Sequence, residues 1–117
     1  MVDSAYALAM AGEMQQAIAV NNDGLSAVPE DSMDIRCEFY SCLLYCYHRL
    51  GDYQQALYYG ELCLTFDEQQ GDPANISASL GNLAGIYSSA GQQDIAIAYL
   101  ERAISIEESL LASDTTH

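Results

Sequence analysis

The chain has no lysine and three arginines against 17 acidic residues, so its formal net charge is -14. A surface with this charge repels the phosphates of nucleic acids and the anionic headgroups of membranes, which argues against both as partners. The acidic residues are scattered along the sequence, a pattern typical of a solvated surface. The alternative is that they meet a partner protein that carries a basic patch.

Long apolar runs are also missing, and none approaches the ~20 residues that a membrane-spanning helix needs. The apolar start, residues 1–11, lacks the positive charge of a secretory signal and runs into a glycine, so we expect it to be part of the fold. Four cysteines lie at positions 37, 42, 46 and 63. Three of them would share one helix, which is not the spacing of a disulfide framework. We therefore expect reduced thiols and a cytoplasmic location.

The motifs of catalysis and of cofactor binding are absent from the sequence. It has no Cys-x-x-Cys, no glycine-rich phosphate loop and no arrangement of Ser, His and Asp typical of a hydrolase. We expect no enzyme activity, no cofactor and no metal. The alternative is a metal or redox cluster at Cys42, Cys46 and Cys63, because residues four apart share a helix face. Core packing is the simpler explanation, since Cys63 lies where a small buried residue is expected.

What the sequence does contain is a repeat of forty residues, built from a chain that is half apolar. Shifting the sequence by forty residues superimposes residues 43–68 on 83–108 with identical residues at seven places. These pairs are Leu43 and Leu83, Tyr47 and Tyr87, Gly51 and Gly91, Ala56 and Ala96, Tyr59 and Tyr99, Glu61 and Glu101, and Glu68 and Glu108.

Apolar residues at helical spacing divide each unit into two helices, which we predict over 33–50, 53–69, 73–90 and 93–111. Gly51 and Gly91 should form the tight turns, and Gly71 should end the second helix in the left-handed conformation. Ser32 is a candidate N-cap, and Asp72 followed by Pro73 should start the third of these helices.

The beginning of the chain is a shorter copy of the same unit. Gly12 marks its turn and is followed by a helix that the polar residues 21–24 should end early. Residues 25–31 are then a connecting loop. Ala17, Ala56 and Ala96 each lie five residues after a turn glycine, where two antiparallel helices approach closely and a larger side chain would push them apart.

These residues together resemble the tetratricopeptide repeat family. The last unit matches the family pattern fully, through Leu80, Leu83, Ala84, Tyr87, Gly91, Ala96, Leu100 and Ala103. The middle unit matches at Tyr40, Leu43, Tyr47, Gly51, Ala56 and Cys63, and it departs from the pattern at Leu44 and Gly60. The first unit matches only at Leu8, Gly12 and Ala17. The forty-residue spacing and the phrase at 82–87 are similar to the repeats of kinesin light chains and of many bacterial signalling proteins.

The resemblance implies an all-α fold, an α-solenoid of antiparallel hairpins wound as a right-handed superhelix. Residues 1–117 would form one domain, with a partial hairpin and loop at 1–31, repeats at 32–71 and 72–112, and a tail at 113–117. It implies a module that binds a protein or peptide, as a piece of a larger bacterial signalling or regulatory protein. The alternative is a ligand-sensing domain that controls an attached effector domain.

In this family the first helix of each unit lines a concave groove where ligands lie. Carried onto this sequence, the groove would be lined by Glu38, Ser41, Cys42, Tyr45, His48 and Arg49, and by Asn82, Gly85, Ser88 and Ser89. The alternative is that these are ordinary exposed residues of amphipathic helices. The lysine-rich clamp by which some members hold a terminal carboxylate cannot be built without lysine.

The two ends of the array carry apolar residues that a solenoid would not leave bare. Ile104, Leu110 and Leu111 lie on more than one face of the last helix, and residues 5–10 are apolar nearly all round. We expect these ends to pack on further repeats of a longer protein or on a second copy as a homodimer. The alternative is a monomer in which Glu101, Glu107 and Glu108 cap the outer face.

Overall fold

The computed structural model describes residues 12–115, and within them it contains helices and no strand. The predicted all-α helical repeat fold is confirmed. The helices are α1 (Met14–Ser26), α2 (Met33–Leu50), α3 (Tyr53–Gln70), α4 (Pro73–Ser89) and α5 (Gln93–Thr115). The predicted boundaries agree with α2 to α4 to within one residue, whereas α5 continues to Thr115. The predicted apolar helix at 5–10 lies outside the described residues.

Gly51 and Gly91 form the tight turns that the sequence predicts, with positive φ angles of 82° and 83°. In each turn the glycine N–H donates to the carbonyl three residues earlier, and the next N–H donates to the carbonyl five residues earlier. These hydrogen bonds are 2.9–3.1 Å long in both turns. Because this helix end needs a left-handed residue, glycine is favoured at both positions. Gly71 has the predicted positive φ too.

The start of α4 forms as predicted, but the start of α2 differs from the prediction. The Asp72 carboxylate accepts a hydrogen bond from the Ala74 N–H at 3.0 Å, and Pro73 is the first helical residue. Ser32 stands at the equivalent place before α2, yet its side chain makes no capping hydrogen bond. The backbone explains the difference, because Asp72 is extended (ψ 108°) whereas Ser32 has a ψ of 62°.

The prediction that residues 21–24 end the first helix is wrong, because α1 runs through them to Ser26. Asn21 is fully buried, and its side-chain amide donates to the Ala17 carbonyl one turn earlier at 2.8 Å. Gly24 is buried against α2, where a Cβ atom would lie 2.4 Å from the Phe39 ring. This glycine therefore permits close packing of two helices and does not stop the helix.

The chain divides into two compact units at Phe66 and Asp67. In the first unit, α1, α2 and α3 share a core that includes Ala17 from α1, Leu43 and Cys46 from α2, and Cys63 from α3. Ala17 and Ala56 are fully buried, as predicted. The predicted division into one domain with four segments stays a prediction.

The loop between α1 and α2 is held by Arg36. Its Nη1 donates to the carbonyl oxygens of Val28 at 2.9 Å and Leu25 at 3.4 Å, and its Nε donates to the Tyr40 hydroxyl at 2.9 Å. Leu25 lies in the last turn of α1 and Val28 lies in the loop, so these bonds tie both to α2. Arg36 is therefore a structural residue of the first unit.

The second unit is a hairpin of α4 and α5. Leu80, Leu83 and Ile86 of α4 are fully buried, and Ala96 and Ala103 lie opposite them on α5, as predicted for Ala96. Toward the Gly91 end of α4, the ring of Tyr87 meets the ring of Tyr99 of α5 edge to face, with centroids 5.3 Å apart. Toward the other end, the Ser77 hydroxyl donates to the Glu107 carboxylate at 3.0 Å. Small buried residues of α5 packed against large buried residues of α4 thus set the spacing of the two helices.

Candidate functional site

Three side chains line one face of α2 in the first unit. Glu38, Tyr45 and Arg49 are spaced by seven and four residues, which places them within about 40° of one another around the helix axis. Glu38 and Arg49 are exposed, and Tyr45 is half-buried against the core cluster. We call these three residues the α2 face. Its side chains offer an acid, an aromatic ring and a guanidinium in one line.

Arg49 is the unusual member of this set because the chain has so few cations. Arg36 holds the α1–α2 loop, and Arg102 forms an ion pair with Glu68 at 3.5 Å. Within residues 12–115, Arg49 is the one arginine without a hydrogen bond, ion pair or ring contact. Arg49 lies in the last turn of α2, where the negative end of the helix dipole favours a cation even without a bonding partner. The guanidinium still has all its donors available to a ligand.

His48 lies at the edge of the α2 face and is half-buried. Its ring meets the Tyr53 ring edge to face, with centroids 5.9 Å apart. Desolvation lowers the pKa of His48 below its usual 6.5, and the neighbouring charge of Arg49 lowers it further. His48 is therefore a neutral ring at physiological pH, and the positive charge of this region belongs to Arg49.

Two other residues predicted for this surface have different places in the structure. The Ser41 hydroxyl lies 4.0 Å from the Cys63 Sγ, so it is turned toward α3. Cys42 is fully buried in the core of the first unit, so the expectation that it lines an open groove is wrong. Its helical position is at the border of the face, and in the structure it belongs to the core cluster that also includes Met14, Ala17 and Ile18 of α1.

In the second unit the corresponding face of α4 carries small side chains. We call its exposed residues the α4 face, which consists of Ala78, Asn82, Gly85 and Ser89. Ser88 is exposed too, but it exchanges two hydrogen bonds with Gln93 across the turn. Its hydroxyl donates to Oε1 at 3.2 Å, and the Gln93 amide donates to its carbonyl at 3.1 Å. Ser88 is therefore part of the turn that joins α4 to α5.

The α2 face and the α4 face differ in what they offer a ligand although they occupy the same repeat positions. The pairs related by forty residues are Glu38 and Ala78, Tyr45 and Gly85, and Arg49 and Ser89. Sequence reasoning missed Ala78, although its register with Glu38 was a signal that could identify it. A Cβ atom at Gly85 would meet no atom within 4 Å. The charged and aromatic groups are therefore confined to the α2 face, and the α4 face offers exposed backbone and small side chains.

The cysteines at 37, 42, 46 and 63 form no disulfide, and Cys42, Cys46 and Cys63 are buried as core residues. Within residues 12–115 there is no cluster of three histidine, cysteine or acidic side chains placed to hold a metal ion. Burial raises the pKa of the Cys46 thiol to about 12, and the charge and hydrogen bond of Cys42 add to the rise. The folded chain therefore keeps the Cys46 thiol protonated to a higher pH than the unfolded chain does. Its contribution to the free energy of unfolding is fully present below the ordinary pKa of 9.0 and is lost as the pH rises toward 12.

We expect Cys46 to react with iodoacetamide at least about tenfold more slowly than the half-buried Cys37 at about pH 8, because only an accessible thiolate attacks the reagent. Labelling of the folded chain, resolved by site with mass spectrometry, measures both rates. In denaturant the two cysteines should react at similar rates. Equal rates in the folded chain would contradict the burial of Cys46.

None of the described helices combines the length and the apolar character needed to cross a membrane. Comparison with protein families gives a match to a family model described as Tetratricopeptide repeat, over residues 37–109. The match contains the α2 face, the α4 face and most of α5. No curated protein matches the chain.

Proposed function

The chain belongs to the tetratricopeptide repeat family, a family of protein-interaction modules, and we propose that it binds a peptide of its partner protein on the α2 face. The observation that carries this proposal is Arg49, the uncommitted guanidinium in a chain of net charge -14. Members of this family are typically scaffolds without catalytic activity, and a binding role needs no further chemistry from these residues.

The groups of the α2 face define the peptide that would fit them. Arg49 can bind a carboxylate through two parallel N–H donors, as a carboxyl terminus or an acidic side chain requires. The ring of Tyr45 offers an apolar surface one turn away, suited to an aliphatic or aromatic side chain. Glu38, two turns further, favours a basic residue. We propose a peptide with basic, apolar and acidic groups in that order along α2.

The α4 face, taken by itself, would suit a different kind of group. Its exposed alanine, asparagine, glycine and serine bring no charge, and the missing side chain at Gly85 leaves room for a peptide backbone to approach the helix. Hydrogen bonds from Asn82 would hold such a backbone without selecting its sequence. The selectivity that we propose rests on the α2 face alone.

The test starts from a phage-displayed peptide library selected on the folded chain. We expect the selected peptides to share an acidic group, and we expect Arg49→Gln to weaken their binding about 10- to 100-fold, because a charge-assisted bidentate contact is lost. Fluorescence anisotropy with a labelled peptide measures the affinities. Arg102→Gln is the matched control, since it removes the same charge from an arginine that already has a partner.

The result that would overturn this proposal is equally clear. If the selected peptides bind Arg49→Gln and Tyr45→Ala as tightly as they bind the unmodified chain, the α2 face is not the site. Circular dichroism of both variants should match the unmodified chain, because neither side chain is fully buried.

A further inference from the structure

An apolar stripe runs along the outer side of α5 in the second unit. Ile97, Leu100, Ile104 and Leu111 are separated by three, four and seven residues, the spacing that keeps them on one side of a helix. Their exposed fractions are 52%, 45%, 52% and 64%. We call these four residues the α5 stripe. The face of α5 that packs on α4 is a different one, formed by Ala96, Tyr99 and Ala103.

The internal repeat shows that this side of the helix is a packing face. Forty residues earlier, Leu100 corresponds to Gly60 and Ile104 corresponds to Leu64. Gly60 is buried and Leu64 is only 4% exposed in α3. Two of the four stripe positions are therefore covered in α3 and bare in α5. A large apolar surface kept exposed in this way is typical of an interaction site.

Acidic side chains border the α5 stripe. Glu101 and Glu108 lie along one edge, four residues after Ile97 and after Ile104, and Glu107 lies along the other edge. Glu107 already accepts the hydrogen bond of Ser77. Within residues 12–115, Glu108 has no ion pair.

The repeat counterpart of Glu108 indicates what such a glutamate can bind. Glu68, forty residues earlier, forms its ion pair with Arg102 on a neighbouring helix. A helix that covers the α5 stripe with an arginine or lysine beside its own apolar residues would give Glu108 the same partner. A partner helix must therefore match two features together, the apolar α5 stripe and its acidic border.

We propose that the α5 stripe binds an amphipathic helix of another protein, with leucine- or isoleucine-type residues facing the stripe and arginine or lysine facing Glu101 and Glu108. This interface is separate from the α2 face. A second copy of this chain fits less well, because its own α5 stripe would bring acidic borders against acidic borders. Arg102 cannot relieve that repulsion, since it lies two residues from Ile104, roughly on the opposite side of the helix.

The experiment uses two synthetic helical peptides with the same leucine stripe, one bordered by arginines and the other by glutamates. Fluorescence anisotropy should show binding of the arginine peptide to the folded chain and weakening by salt. Ile104→Glu should weaken that binding at least about tenfold, since it places a charge in the apolar α5 stripe. Ile95→Glu is the matched control, an exposed isoleucine of α5 outside the stripe, and it should leave the affinity unchanged.

Charge reversal tests the acidic border independently. Glu108→Arg should weaken the arginine peptide and strengthen the glutamate peptide. Asp31→Arg changes the net charge equally at an exposed loop residue, and it should have a much smaller effect on both. The α2-face variant Arg49→Gln should leave the arginine peptide bound as before, so failure of this inference and failure of the peptide site on α2 are distinguishable.

Three outcomes would overturn the inference. The first is that the arginine peptide does not bind, or that it binds all variants with the same affinity. Equal affinity for all variants would mean that only the net charge of the chain attracts the peptide. The second is equal binding of the two peptides to the unmodified chain. The third is a concentration-dependent dimer in sedimentation velocity that Ile104→Glu abolishes, which would make a second copy the occupant. Leu111→Ser, near the end of the helix, is a second stripe variant should Ile104→Glu disturb the fold.

Discussion

Leu83→Ala is expected to lower the free energy of unfolding by about 2–5 kcal/mol, the largest change that we predict for a single residue. Leu83 is fully buried in the hairpin of α4 and α5, and truncation would remove its apolar contacts and leave a cavity that the close-packed helices cannot fill. Chemical denaturation followed by circular dichroism measures the loss.

Leu111→Ala is the matched control for this prediction. It removes the same atoms from a leucine of the same unit that is 64% exposed, so the free energy of unfolding should change by less than about 0.5 kcal/mol. A similar small effect for Leu83→Ala would mean that the second unit has no tightly packed core.

Ala96→Leu is expected to lower the free energy of unfolding by about 1–3 kcal/mol through overpacking. Ala96 lies five residues after the turn glycine Gly91 and is 2% exposed, so a larger side chain has no room unless α4 and α5 separate. Helix propensity cannot account for a loss of this size, since leucine is nearly as good a helix former as alanine.

Ala98→Leu separates packing from any general effect of a larger side chain on α5. Ala98 is exposed two residues further along the same helix, and its replacement should leave the stability nearly unchanged. Equal stability of the unmodified chain and Ala96→Leu in denaturation would refute the close approach of the two helices.

Much of the fold was determined by local features of the sequence. Gly51 and Gly91 end their helices because a left-handed residue completes the same pair of hydrogen bonds in both turns. The forty-residue repeat fixed the positions of the buried alanines Ala56 and Ala96, and the predicted helix over 33–50 with the family resemblance placed Tyr45 and Arg49 on one helix face. Periodicity and turn chemistry act over a few residues, so they can be inferred from the chain alone.

The errors arose where a residue's environment comes from a distant segment. Residues 21–24 have the composition of a helix end, but Asn21 and Gly24 remain helical because both are buried, Gly24 against Phe39. By helical position Cys42 lies at the border of an exposed face, yet in the structure it is buried in a core cluster that includes residues of α1. In both cases packing outweighs local preference, and the packing partner cannot be identified from neighbouring residues.

For the candidate sites, too, some features could be predicted from the sequence and others only from the tertiary structure. The sequence by itself determined that this is a tetratricopeptide repeat chain with one aromatic and basic helix face in a strongly acidic molecule. Only the tertiary structure showed that Arg36 and Arg102 are committed to internal contacts while Arg49 is not. It also decided that Leu64 is buried whereas its counterpart Ile104 is exposed. Equivalent residues in a repeat have the same helical position, but their burial depends on which neighbouring elements cover them.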